Sequence, residues 1–108
     1  MTIQAALDAY TRIPLAQYPT PLEFLPRLSQ ELGRPIYIKR DDQFGPGLGG
    51  NKTRKLEYLL ADAQQKKMRK VVTFGGLQSN HARITAAATR KCGMSRICFI
   101  LRSAPENW

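Results

Sequence analysis

The chain has 108 residues, of which 43% are hydrophobic and 23% are charged, and its formal net charge is +9. This length supports one small domain, and the composition excludes an intrinsically disordered chain. The positive charge favours an anionic partner, but it does not by itself distinguish a phosphate or an anionic substrate from nucleic acid or an acidic membrane surface.

The spacing of apolar residues and the positions of glycine and proline predict seven elements. In chain order they are helix Ile3–Tyr10, helix Phe24–Leu32, strand Ile36–Lys39, helix Asn51–Lys66, strand Val71–Phe74, helix Ser79–Lys91 and strand Arg96–Leu101. We expect Thr2 to cap the first helix, and Gly33 and Gly93 to end the second and the fourth. Segment 41–50 is rich in glycine and is predicted to be a loop.

From residue 36 onward, predicted strands alternate with predicted helices. This order predicts an α/β fold, in which crossover helices join a parallel sheet and cover both of its faces in a three-layer arrangement. Three strands alone would leave sheet edges uncovered, and the tail 102–108 has no recognisable pattern. We therefore expect residues 1–108 to be a piece of a larger protein.

Several classes of protein are disfavoured by what the sequence lacks. No stretch is long and apolar enough to span a bilayer, and the first ten residues lack the apolar run of a signal peptide. Cys92 and Cys98 are too few for a disulfide framework and have no metal-type spacing with His81. The basic cluster at 66–70 lacks interleaved aromatic residues, which argues against nucleic-acid binding. We expect free thiols, no metal site and a cytoplasmic location.

A glycine-rich loop runs into a helix at Gly49–Lys55. The phosphate loop of nucleotide hydrolases has glycine directly before its lysine, whereas Asn51 intervenes here, which excludes that class. Lys52 is predicted to lie in the first turn of the helix beside Arg54 and Lys55, where its ammonium form is disfavoured. A neutral amine suits a nucleophile that condenses with a carbonyl. An ordinary surface helix start with solvated lysines is the alternative.

A second motif, Gly75–His81, also follows a predicted strand and opens a helix. The Ser79 hydroxyl, the Asn80 amide and the free N–H groups of the helix start form a seat for a carboxylate or a phenolate. The alternative is simple helix capping by Ser79 or Asn80. Both motifs are predicted at the carboxyl ends of consecutive parallel strands, where open α/β sheets bind ligands. Lys52 would then face the Ser79–Asn80 corner across one crevice.

Four motifs together resemble the signature of the tryptophan-synthase-β-like, fold-type II enzymes that depend on pyridoxal phosphate. In chain order they are Pro19–Leu22, Ile38–Asp42, Gly49–Glu57 and Gly76–His81. Within that group the sequence is most similar to D-cysteine desulfhydrases and 1-aminocyclopropane-1-carboxylate deaminases. The resemblance implies that residues 1–108 are the N-terminal portion of a two-domain enzyme.

The resemblance also implies pyridoxal 5'-phosphate as the cofactor. Lys52 matches the lysine that binds the cofactor covalently and transfers the proton at the substrate. Asn80 matches the asparagine that hydrogen-bonds the hydroxyl of the cofactor ring. Asn51 and Lys55 match positions close to the cofactor.

A small amino acid is the substrate class that the resemblance implies. Ser79, Asn80 and His81 match substrate-binding positions, and Ser79 also matches a catalytic position near the reacting carbon. The expected reaction converts D-cysteine to pyruvate, sulfide and ammonia. The alternative opens aminocyclopropane-carboxylate to 2-oxobutanoate and ammonia; His81 favours the first, because similar deaminases tend to have glutamine there. The complete protein is expected to be a homodimer. A basic nucleic-acid-binding module and an inactive remnant stay open as alternatives of another class.

Overall fold

The computed structural model describes residues 1–101, so the patternless tail noted in the sequence lies outside the described residues. In chain order the helices and strands are α1 Ile3–Asp8, β1 Leu22–Phe24, α2 Pro26–Leu32, β2 Tyr37–Lys39, α3 Lys52–Gln65, β3 Lys70–Gly76, α4 Asn80–Lys91 and β4 Ser95–Leu101. A short 3₁₀ turn, Asp41–Gln43, interrupts the predicted loop after β2. The four predicted helices and three predicted strands are all present, although most of them begin at a different residue and some also end at one, and β1 is an additional strand.

Strands β3 and β4 form the predicted parallel pair, with Thr73 opposite Cys98. Helix α4 connects them as a crossover and packs on both. Its Ser79 cap follows the last residues of β3, and Gly93, with φ of 70°, lets the chain turn back into β4. This unit confirms the predicted α/β fold with a parallel sheet and a crossover helix.

The predicted first strand of the parallel sheet is not part of that sheet. Strand β2 instead pairs antiparallel with β1, with Glu23 opposite Ile38. The chain reverses over the short helix α2 between the two strands, which brings them together as neighbours. A strand of three exposed residues carries no alternating pattern, so its sequence did not specify its partner.

The second helix begins later than predicted, because Phe24 belongs to β1 and Pro26 occupies the first helical position. Proline suits that position, since it has no N–H to leave unsatisfied there. The predicted caps are otherwise confirmed. Thr2 accepts a hydrogen bond from the Ala5 amide at 3.2 Å, and Gly33 ends α2 with φ of 63°.

The core lies between α3, α4, the N-terminal segment and one face of the parallel sheet. Its buried residues are Leu15, Leu56, Leu60, Ile84, Ala88 and Met94. The opposite face of the sheet is apolar and exposed; its large residues are Val72, Phe74, Ile97 and Phe99. The second helical layer of the predicted three-layer arrangement is therefore not formed within residues 1–101.

Two features of the wider chain agree with the sequence. Cys92 and Cys98 are free thiols and are half-buried. Among the helices described between residues 1 and 101, none combines the length and the apolarity that a membrane crossing requires.

Candidate functional site

The glycine-rich loop before α3 is closed by main-chain contacts that only glycine allows. The Gly50 amide donates to the Asp41 carbonyl at 3.0 Å. Gly49 and Gly50 have φ of 74° and 140°, in a region that L side chains rarely adopt. A Cβ on Gly49 would lie 2.5 Å from the carbonyl oxygen of Asp42. The loop can therefore turn tightly into the first residue of α3, which is Lys52.

Lys52 is half-buried at this helix start, whereas Asn51 and Lys55 are exposed. Asn51 is the N-cap, but its side chain makes no capping hydrogen bond. Thr53, the next residue, is buried. Lys52 therefore lies in a partly enclosed position, whereas Asn51 and Lys55, which were also predicted to lie near the cofactor, are more open to solvent.

A polar network outside the predicted site residues anchors the start of α3. The guanidinium of Arg54 binds both carboxylate oxygens of Asp41, at 2.5 and 2.9 Å. The buried Thr20 donates to the same carboxylate at 2.7 Å. Hydrogen bonds from Arg54 and Thr20 hold the pKa of Asp41 well below its usual range. Tyr18 lies under Arg54, 4.7 Å from the guanidinium carbon to the ring centre.

Further along α3, the fully buried Glu57 ties the helix to the N-terminal segment. Its carboxylate accepts from the Leu15 amide at 2.8 Å and from Nε of Arg12 at 2.5 Å. Both oxygens of this buried carboxylate are satisfied, as a buried charge requires. Arg12 also lies 4.5 Å from the ring centre of Tyr18, so this pair joins the Asp41 network through the same ring.

The start of α4 confirms the capping interpretation of Ser79. Its Oγ accepts a hydrogen bond from the Ala82 amide at 3.1 Å. A Cβ on Gly75 would lie 2.4 Å from that Oγ, so Gly75 allows the strand and the cap to approach closely. Because a hydroxyl both accepts and donates, the cap leaves the Ser79 proton available to a ligand.

The loop before Lys52 and the first turn of α4 meet at Gly50. A Cβ there would lie 2.8 Å from Nδ2 of Asn80 and 2.7 Å from Cδ1 of Ile84. The guanidinium of Arg83 adds a second connection, since it donates to Oδ1 of Asn80 and, at 2.5 Å, to the carbonyl of Gly47. The loop that carries Lys52 therefore packs directly on the first turn of α4.

His81 completes this region. It is half-buried, and its Nδ1 is buried with no hydrogen-bond partner in the described part of the chain. Desolvation lowers the pKa of His81, and the positive charges of Lys55 and Lys52 lower it further. The close approach of Gly50 to Asn80 places the start of α3 beside the start of α4.

The loop before Lys52 and the first turn of α4 thus pack together, with two differences from the sequence interpretation. The loop of Lys52 follows an antiparallel strand, so the two corners do not lie at the ends of consecutive parallel strands. Lys55 also borders a cavity of about 470 Å³ on the side of α1, together with Leu7 and Tyr10. Sequence reasoning assigned no role to Asp41, Glu57 and Arg83, and it treated Arg54 only as a positive charge beside Lys52, not as the partner of Asp41. Asp41, Arg54 and Glu57 lay inside the motifs, but a single sequence does not show their partners.

Comparison with known proteins identifies the family. The family model described as pyridoxal-phosphate dependent enzyme matches residues 13–107, most of the chain. The chain belongs to the pyridoxal-phosphate-dependent enzyme family. The resemblance seen in the four motifs is confirmed, and pyridoxal phosphate is the cofactor of this family.

Individual members of the pyridoxal-phosphate-dependent family are similar over nearly the whole chain. D-cysteine desulfhydrase of Salmonella paratyphi B is 50% identical over 105 residues, which are 94% of this chain and 32% of the relative. A Pyrococcus abyssi protein, provisionally named 1-aminocyclopropane-1-carboxylate deaminase, is 46% identical over 98 residues, which are 91% of this chain and 30% of the relative.

A crystal structure described as an ACC deaminase homologue is similar with a TM-score of 0.85 and 45% identity. The match covers 98% of this chain and 33% of that structure. The chain therefore spans about a third of the length of the relatives it matches.

The residues at the two corners fit the chemistry of the family's cofactor. An aldehyde needs an amine, which Lys52 supplies, and a ring hydroxyl needs a hydrogen-bonding partner. Nδ2 of Asn80 donates to no acceptor within residues 1–101, and Nδ1 of His81 is buried without a partner.

Proposed function

We propose that this chain is part of a pyridoxal-phosphate-dependent lyase that acts on D-cysteine. The observation that carries the proposal is the packing of the loop before the half-buried Lys52 on the first turn of α4, where Gly50 lies against Asn80. This geometry pairs an amine with hydrogen-bonding groups at the start of a second helix. The 50% identity to a D-cysteine desulfhydrase supports the substrate class.

Four residues of this chain have proposed roles toward the cofactor. Lys52 holds it through a bond from its amine, and Asn80 hydrogen-bonds its ring hydroxyl. Asn51 and Lys55 lie beside it, where the positive charge of Lys55 favours an anionic group. When bound, the cofactor supplies the electron sink that stabilises negative charge at the substrate's α-carbon.

The substrate is held by the start of α4. The Ser79 hydroxyl, the Asn80 amide and His81 are proposed to bind the substrate carboxylate, assisted by unpaired N–H groups of the first helical turn. Lys52 is the base proposed to remove the proton from the α-carbon, and Ser79 is placed near that carbon as a second catalytic residue. Desolvation and the nearby lysines favour neutral His81, which is then a hydrogen-bonding partner rather than a charge.

The proposed reaction is balanced by one water. D-cysteine and water yield pyruvate, hydrogen sulfide and ammonia, so a C–S bond and a C–N bond break without net oxidation. The alternative reaction converts 1-aminocyclopropane-1-carboxylate and water to 2-oxobutanoate and ammonia. It is supported by the provisional name of the Pyrococcus relative and by the structural similarity to an ACC deaminase homologue. His81 favours the desulfhydrase.

A product assay tests this proposal. The 108-residue chain, and a chimera in which it replaces the matching third of the Salmonella enzyme, are each supplied with cofactor and with one of the two substrates. We expect sulfide and pyruvate from D-cysteine in preference to 2-oxobutanoate from the cyclopropane substrate. A preference for 2-oxobutanoate would select the deaminase instead. Absence of both products in both proteins would remove the lyase proposal.

The wider context of the chain stays a prediction. We propose that residues 1–108 form the N-terminal portion of a two-domain enzyme that is a cytoplasmic homodimer. The half-buried free thiols of Cys92 and Cys98 support a reducing compartment. A nucleic-acid-binding module would require affinity that falls steeply with salt, and an inactive remnant would show no cooperative thermal unfolding.

A further inference from the structure

Arg83 connects both halves of the candidate site through one guanidinium group. It lies three residues after Asn80 in α4, so the two side chains project from the same face of the helix. Its nitrogens donate to Oδ1 of Asn80, to the Gly47 carbonyl at 2.5 Å and to the Gly49 carbonyl at 3.5 Å. Gly49 directly precedes Gly50, which touches Asn80 from the other side.

These contacts fix the orientation of the Asn80 amide. A guanidinium carries only donors, so the amide must turn its oxygen toward Arg83. The NH₂ group of Asn80 must then face away from Arg83, which is the side where Gly50 and the start of α3 lie. An amide free to flip would present oxygen and nitrogen in turn, and half of the time it would offer the wrong group to an acceptor.

The same guanidinium also holds the loop. The carbonyls of Gly47 and Gly49 belong to a segment whose backbone φ angles are positive at Gly47, Leu48, Gly49 and Gly50. Such a backbone is costly for Leu48, whose φ is 68°. External hydrogen bonds that hold these carbonyls therefore favour the conformation that delivers Lys52 to the start of α3.

We propose that Arg83 is a positioning residue. Its hydrogen bonds hold the loop before Lys52 and the amide of Asn80 in one fixed arrangement. Its effect on the cofactor is indirect and passes through Asn80 and the loop. This inference rests on the proposed function for the identity of the ligand, but the connection between loop and helix does not depend on any ligand. Two experiments separate these parts.

The first experiment uses no cofactor and measures hydrogen exchange at the Gly50 amide, which donates to the Asp41 carbonyl. Arg83→Gln is compared with Arg90→Gln, a change on the same helix at an exposed arginine without a side-chain hydrogen bond in the described chain. We expect roughly tenfold faster exchange in Arg83→Gln, the size expected for the loss of a charge-assisted hydrogen bond. Unchanged exchange at Gly50 would overturn the proposal.

The second experiment measures affinity for pyridoxal 5'-phosphate in Arg83→Gln, Asn80→Ala and the double variant. We expect about tenfold weaker binding in Arg83→Gln. Because part of the effect of Arg83 passes through Asn80, the double variant should lose less affinity than the product of the two single losses. Losses that multiply independently would contradict an effect of Arg83 through Asn80. Arg83→Lys, which keeps the charge but not the fork of donors, should weaken binding without loss of cooperative thermal unfolding.

The two proposals fail in different ways. If the unsubstituted chain does not bind the cofactor, the proposed function fails. Hydrogen exchange at the Gly50 amide still decides whether Arg83 connects the loop before Lys52 to the start of α4. If the cofactor binds and Arg83→Gln leaves exchange at Gly50 unchanged, the Arg83 proposal fails and the proposed function stands.

Discussion

Gly50 and Asn80 lie so close that a Cβ on Gly50 would be 2.8 Å from Nδ2 of Asn80. This approach brings the backbone before Lys52 into direct contact with the start of α4. The separation is below any normal carbon–nitrogen contact, so a side chain at Gly50 would have to displace the amide. The loop before Lys52 can therefore approach the start of α4 this closely only because residue 50 is glycine and has no Cβ.

The substitution Gly50→Ala should destabilise the protein by about 2 kcal/mol or more, since it adds both a clash and an unfavourable positive φ. The matched control is Gly76→Ala, because a Cβ on Gly76 meets nothing within 4 Å. That change should alter the free energy of unfolding by no more than about 0.5 kcal/mol. Denaturant titration of both variants measures the difference; equal losses would show that the close packing at Gly50 is not the cause.

The ion pair between Asp41 and Arg54 should make stability depend on pH. The folded-state pKa of Asp41 is lowered by hydrogen bonds from Arg54 and Thr20. Its contribution is therefore fully present above the unfolded pKa of about 3.9, and it is lost as the pH falls through the folded value. Asp41→Asn should cost roughly 1–2 kcal/mol at about pH 7 and progressively less below about pH 3.

The control for this prediction is Asp62→Asn. Asp62 pairs with Lys66 at 2.8 Å on the exposed surface of α3. Such a pair contributes only about 0.3–0.5 kcal/mol. Denaturant titrations at about pH 7 and below about pH 3 give the free energy of unfolding of both variants. A loss of free energy for Asp41→Asn that is the same at both pH values would contradict the predicted pH dependence.

Local features of the fold were predictable from sequence, because glycine acts through its own backbone, and serine and threonine cap a helix by a side-chain hydrogen bond to a nearby amide. Gly33 ends α2 in the left-handed conformation, and Ser79 and Thr2 cap their helices as expected. Partners were not predictable in the same way. Nothing in Tyr37–Lys39 alone specifies an antiparallel neighbour across a helix, and this is why the first strand was assigned to the wrong sheet.

In the candidate site, too, local features were predictable from sequence and long-range partners were not. The motifs indicated Lys52 and Asn80 as chemical groups, because amines and amides have recognisable roles. The sequence did not reveal that Arg83 reaches the Gly47 carbonyl, since this contact joins residues 36 positions apart. Such long-range hydrogen bonds depend on how the loop packs on α4, which only the folded chain specifies.

His81 offers a direct probe of how closely α3 approaches α4. It is the single histidine of the chain, so its ring resonances are unambiguous in an NMR titration. Desolvation and then the charges of Lys55 and Lys52 lower its pKa. Lys55→Gln should therefore raise the pKa of His81, while Lys70→Gln, at the opposite end of β3, should leave it unchanged. Equal shifts in the two variants would contradict a specific influence of Lys55.

The central claim is that Lys52 is the residue that holds pyridoxal phosphate, and chemical trapping tests it most directly. The chain is incubated with the cofactor, reduced with borohydride and digested, and the modified lysine is identified by mass spectrometry. We predict that the reduced cofactor is found on Lys52, disappears in Lys52→Arg and persists in Lys55→Arg. Equal labelling of the exposed lysines at 66 and 67, or labelling unaffected by Lys52→Arg, would contradict the account.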